Sequence, residues 1–112
     1  MVAVASESLN LDGLARVGLA LADDSRRRVL VRLTDGPAYP SELADVLGLS
    51  RTNVSNHLAC LRWCGFVTAE RRGKRVFYRV ADARVSEIVA LTRTLLDGNA
   101  DHVAQFKLKR AS

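Results

Sequence analysis

The hydrophobic period of this chain changes abruptly at Gly65, and that change limits the fold more than any other feature. Ahead of it, Val54, Leu58 and Leu61 in "SRTNVSNHLACLRWC" recur at the four- and three-residue spacing of one helical face. Ser50 is a good N-cap for this helix. Beyond Gly65, "FVTAERRGKRVFYRVAD" alternates, Phe66/Thr68 against Val67/Ala69, then Val76/Tyr78/Val80 against Phe77/Arg79. With Gly73 at the turn, this predicts a β-hairpin. A shorter helix precedes, opened by Pro40 and Ser41 in "SELADVLG", with Leu43, Ala44 and Leu47 facing inward and Gly48 ending it. Two helices joined by the short "GLS" turn make a helix-turn-helix over 41–64, and the hairpin over 66–81 makes it winged.

The flanks are helical. Leu9, Leu14, Val17, Leu19 and Leu21 form an apolar stripe through roughly 8–22, and Asp23, Asp24 and Ser25 stop that helix and cap the next. Val29, Leu30 and Leu33 supply the second helix's buried face, and "DGP" ends it. Residues 83–97 return to helical spacing through Val85, Ile88, Val89, Leu91, Leu95 and Leu96. "DGNAD" breaks this helix and leaves a basic tail over 98–112. The fold class is therefore mainly α with a small β-hairpin, in one winged helix-turn-helix domain. At 112 residues its own core is modest, so a homodimer with a shared core is expected.

Charge points to the partner. The net charge is +5, concentrated in "SRRR" and "RRGKR", which favours a polyanion. No run approaches the roughly 20 apolar residues of a membrane span, and "MVAVASESLN" lacks the basic start of a signal peptide. A cytoplasmic chain with reduced thiols and no membrane partner is expected. Thr52, Ser55, Asn56 and Ala59 lie opposite the core side of their helix. Short polar groups near a helix N-terminus suit the major groove of double-stranded DNA. Arg51, Thr52, Asn53, Ser55 and Asn56 are the candidate contacts on the helix. Arg71, Arg72, Lys74 and Arg75 crowd one tight turn, a density of like charge that makes sense beside phosphates. Of Arg26, Arg27 and Arg28, at least one should be solvated on the outside of its helix. The chain has no Gly-rich phosphate loop and no His/Asp pair placed to activate a nucleophile, so it is not read as an enzyme.

Both cysteines, Cys60 and Cys64, sit in "HLACLRWCG", one helical turn apart. On the helical wheel they fall about 60–100° from the core direction, beside Asn53 and His57. This places neither at the buried centre nor squarely towards DNA. Two readings stay open: small buried hydrophobes, or a ligand-binding stripe flanking the reading face.

"ALADDSRRRVLVRL", "SELADVLGLSRTNVSNHLACLRWCGFV" and "RRGKRVFYRVAD" together resemble the ArsR/SmtB family of bacterial metal-sensing repressors, over roughly residues 12–97. The resemblance implies a dimer paired through residues 8–22 and 83–97. It also implies operator DNA bound without inducer and released with it. The arsenic- and cadmium-sensing branches carry Cys-x-Cys in the helix before the recognition helix, and "SELADVLG" has no Cys. The zinc/cobalt branch uses Asp and His on the last helix; Asp82 is present, but Arg84 stands where His is expected. "SNHLACLRWCG" is similar to the CmtR-type cadmium/lead branch, which implies Cys60 and Cys64 as metal ligands. That branch completes its site with a third Cys from the tail, which this chain lacks. His102 is the preferred replacement, with Asp101, Asp97 and His57 as other donors. Cadmium or lead is then the expected inducer, with zinc an alternative because His hardens the site. Nearby Arg62 and other cationic groups are expected to help deprotonate the thiols. The competing readings are a repressor of this family without a metal site, answering to thiol oxidation or to no small ligand, and a non-specific architectural DNA binder.

Overall fold

The computed structural model describes residues 2–98, with side chains from Leu11 onward. It contains helices α1 (Val2–Ala22), α2 (Asp24–Thr34), α3 (Pro40–Leu47) and α4 (Arg51–Trp63), then strands β1 (Val67–Arg72) and β2 (Arg75–Val80), then helix α5 (Ala83–Gly98). This is a winged helix-turn-helix. Helix α1 starts at Val2 rather than near residue 8, and no Pro or Gly in residues 2–10 interrupts it. None of the described helices is long and apolar enough to cross a membrane.

Helix α2 is the hub, touching α1, α3, α4, α5 and β2. Val29, Leu30 and Leu33 on α2, Leu43 on α3, and Val54, Leu58 and Leu61 on α4 are almost wholly buried together. These are the positions the helical spacing selects. Leu47 is only half-buried at the end of α3.

Local chemistry fixes the helix ends. The Asp23 carboxylate accepts the Arg26 backbone N–H at 2.9 Å to start α2, and Ser50 Oγ accepts the Asn53 N–H at 3.1 Å to start α4. At the end of α4, Gly65 takes φ +84°, the Gly65 N–H donates to the Arg62 carbonyl at 3.0 Å, and the Phe66 N–H donates to the Leu61 carbonyl at 2.9 Å. This is a Schellman closure, and its apolar pair is Leu61 with Phe66, both buried. Phe66 therefore belongs to the helix end and not to the strand. That is why Phe66 and Val67 are both buried, against the alternation expected from sequence.

The "SRRR" arginines differ from expectation too. Arg26 donates to the Ala20 carbonyl at 3.3 Å, and Arg27 to Leu21 and Ala22 at 2.8 and 3.1 Å, all at the end of α1. Arg28 donates to the Leu47 carbonyl at 2.8 Å, closing α3. All three thus satisfy orphan carbonyls at the negative ends of helix dipoles, so none is merely solvated.

The hairpin is antiparallel, from Val67 opposite Val80 to Arg72 opposite Arg75. Gly73 takes φ +61°, and among the described residues no residue other than glycine has positive φ, the pattern of a II′ turn. Ala38 and Tyr78 exchange backbone hydrogen bonds of 2.9 and 2.8 Å, which pin the wing to the α2–α3 connection.

Candidate nucleic-acid interface and thiol pair

Arg51, Thr52, Asn53, Ser55 and Asn56 are all exposed on the first turns of α4, while Val54 between them is buried. The 3.6-residue repeat thus turns one face into the core and leaves a polar one outside. The wing arginines are more committed than their sequence suggests. The Arg72 guanidinium lies 4.2 Å from the Phe77 ring centre, covering an otherwise buried aromatic. Arg71 donates from Nε to the Gly73 carbonyl at 3.1 Å, bracing the turn. Arg75 lies 3.6 Å from the Tyr39 ring centre and donates from Nη2 to Ser41 Oγ at 3.5 Å. Lys74 is exposed at the turn itself. Tyr39 meets Phe77 edge to face at 6.1 Å. In the sequence Ser41 reads only as a helix opener and Tyr39 carries no functional signal beyond a place at the mouth of α3, next to Pro40.

The thiols occupy different environments. Cys64 is only 6% exposed and joins the core, while Cys60 is half-buried against it. The wheel placement away from the buried centre therefore fails for Cys64, whose burial agrees with the open reading of a small buried hydrophobe. Its wheel angle describes a straight helix, but Cys64 is the C-cap, and the Schellman closure folds Phe66 back over that end. Burial pushes the Cys64 thiol above its ordinary value, and the neighbouring Cys60, by charge and by hydrogen bonding, adds to the rise. Arg26 and Arg16 oppose it. These cations on α2 and α1 are among the other cationic groups expected to favour the thiolate.

His57 Nε2 lies 3.6 Å from Asp23 Oδ2, with the imidazole side chain 17% exposed. It links the recognition helix to the N-cap of α2. The Asp23 carboxyl is held below its usual range, chiefly by the Arg26 backbone N–H and, more weakly, by the charges of His57 and Arg26. Among the described residues, no three His, Cys, Asp or Glu side chains are grouped so as to hold a metal ion. Asp97 is exposed at the end of α5, and His102 and Asp101 lie outside the described residues. Asp82 and Arg84 form an ion pair at 2.8 Å, so a cation of the chain's own already engages the carboxylate at that position. Arg84 holds the Asp82 carboxyl below its usual range.

Residues 23–69 match the family described as bacterial regulatory proteins of the arsR family. The HTH-type transcriptional regulator CmtR of Mycobacterium tuberculosis is 56% identical over 73 residues, covering 65% of this chain and 62% of that protein. The chain thus spans less than two thirds of the CmtR length. The solution structure of the cadmium metal-sensor CmtR from the same organism superposes with a TM-score of 0.60 over 68% of this chain and 79% of that one, at 53% identity. A probable mercury resistance operon repressor of Streptomyces lividans is 42% identical over 89 residues, covering 80% and 71%. The homodimeric winged helix-turn-helix DNA-binding domain of a Mycobacterium bovis protein superposes with a TM-score of 0.80, at 34% identity, over 86% and 89%.

Proposed function

The chain belongs to the ArsR family of bacterial regulatory proteins, and we propose that it is a homodimeric repressor released from its operator when a thiophilic metal ion engages Cys60 and Cys64. The observation that carries this reading is the thiol pair itself. Both sulfurs sit one turn apart along α4, on a stripe shared with Asn53 that flanks the exposed face presenting Arg51, Thr52, Ser55 and Asn56. A ligand held there acts on the reading helix without covering its DNA face. Similarity to a cadmium sensor and to a mercury-resistance repressor supports a soft metal, with cadmium or lead first and zinc as the harder alternative.

Two thiolates do not close a site. The third donor we assign to His102, from the same or the partner chain. Deprotonating Cys64 requires drawing it out of apolar surroundings, so metal capture and a shift at the end of α4 go together. In a dimer, reading heads must meet successive major grooves about 34 Å apart, and a small rotation of each α4 breaks that match. Dimerisation is supported by Leu11 and Leu14 on α1 and Leu91 on α5, each 67–68% exposed.

The test is an anaerobic titration of the reduced protein with cadmium, with lead and with zinc, following sulfur-to-metal charge-transfer absorbance beside Cys60→Ser and Cys64→Ser. One saturating metal per protomer, lost in both variants and weakened in His102→Ala, is the expected result. No signal with any of cadmium, lead or zinc would remove the metal-sensing part and leave a DNA-binding repressor with core or redox thiols.

A further inference from the structure

Three elements meet where the wing joins the helix-turn-helix. Arg75 comes from β2, Arg51 from the start of α4, and Tyr39 and Ser41 from the start of α3. They line an open cleft of about 270 Å³. The Arg75 guanidinium lies over the Tyr39 ring at 3.6 Å, so one of its faces is covered while its N–H edge stays free. That edge has only a long bond, 3.5 Å, to Ser41 Oγ, which an incoming anion can take over. Glu42, the acidic residue of α3's first turn, directs a carboxylate oxygen to the Tyr39 backbone N–H at 3.3 Å.

We infer that this cleft seats a single backbone phosphate of duplex DNA, gripped jointly by Arg51 and Arg75, with Tyr39 as the positioning residue that aims Arg75 and Ser41 as a hydroxyl donor. The inference rests on the DNA-binding part of the function proposed above and is independent of the thiols. A stacked guanidinium is already ordered before DNA arrives, so less rotamer freedom is lost on binding than for a free arginine. The cleft also lies between the recognition helix and the wing. A phosphate held there sets the register of α4 in the groove, which is how backbone contacts act on sequence reading.

Phosphate contacts do not depend on sequence, so a mixed-sequence duplex serves as the probe. The reading is the slope of log affinity against log salt, which changes by about 0.9 for each phosphate that is no longer neutralised. Arg75→Gln alone is expected to weaken duplex binding severalfold at fixed salt while changing the slope by less than about 0.9 per protomer, because Arg51 still neutralises the phosphate. The Arg51→Gln/Arg75→Gln double variant should make the slope shallower by about 0.9 per protomer in all, because both groups hold the same phosphate. Tyr39→Leu removes no charge, yet it should reproduce part of the Arg75→Gln affinity loss, whereas Tyr39→Phe should restore the wild-type affinity. Thermal melts confirm that each variant is folded.

A wild-type slope in the Arg51→Gln/Arg75→Gln double variant would overturn the cleft while leaving DNA binding intact. A loss of about 0.9 for each arginine, adding in the double variant, would mean two separate phosphates and would equally overturn it. Wild-type affinity in folded Tyr39→Leu would remove the positioning role. Absence of salt-dependent duplex binding by the wild-type protein would instead sink the DNA-binding reading and this inference with it.

Discussion

Cys64 belongs to the core and, in the proposed function, is also a metal ligand. Its thiol is buried at the end of the recognition helix and held protonated by that burial and by Cys60. If Cys64 binds metal as proposed, capture must release a proton, and cadmium affinity should rise as pH rises from 6 to 8 by about tenfold per proton released per pH unit. A pH-independent affinity would argue against Cys64 as a ligand. The same shift fixes the sign of a stability effect. As pH rises past the ordinary thiol value, the unfolded chain gives up the Cys64 proton first, while the folded chain retains it. Stability should then fall on the alkaline side, and the fall should be smaller in Cys64→Ala. Melts of the two reduced proteins across that range measure the difference. Asp23 has the opposite sign. Its lowered carboxyl favours the fold above the ordinary Asp value, and that benefit is lost as pH drops through the folded value.

At the scale of elements, helix ends decide more than helix middles. The α4 end depends on Gly65 at φ +84°, where no atom crowds a Cβ but the backbone conformation disfavours one. Gly65→Ala should cost about 1–2 kcal/mol from backbone strain alone, lowering the melting midpoint by several degrees. It should also alter the Cys64 environment, because the same turn folds Phe66 over that helix end. An unchanged midpoint would show that the turn relaxes without penalty. The arginine caps behave alike. Arg28 is the tie between α2 and the C-terminus of α3, so Arg28→Ala should increase amide exchange at the end of α3 ahead of global unfolding.

The whole molecule is incomplete as a single copy. Leu11, Leu14 and Leu91 stand two-thirds exposed on the two outer helices, too much apolar surface for a lone small domain to leave in water without a partner. Leu14→Glu or Leu91→Glu should shift sedimentation from dimer to monomer and weaken duplex binding at least tenfold, since two half-sites would no longer be bound by one body. A dimer that survives both substitutions would place the interface elsewhere.

The elements themselves follow from signals that are local in the chain. The three- and four-residue repeat of Val54, Leu58 and Leu61, the Ser50 cap, the Gly73 turn and the change of period at Gly65 act over a few neighbouring residues. The thiol pair was legible for the same reason: one helical turn separates Cys60 from Cys64 whatever surrounds them. What surrounds them was not legible. The burial of Cys64 depends on the closure that folds Phe66 back over the helix end. The sequence leaves at least one of Arg26, Arg27 and Arg28 solvated; instead Arg26 and Arg27 turn back onto the adjacent end of α1, and Arg28 reaches Leu47 on the remote α3. Tyr39 and Arg75 are separated by more than thirty positions in sequence and stack only because the Ala38–Tyr78 bridge draws the wing onto the start of α3. Period and capping belong to the local chain, whereas desolvation, charge neighbours and stacking depend on which remote surfaces tertiary packing brings together.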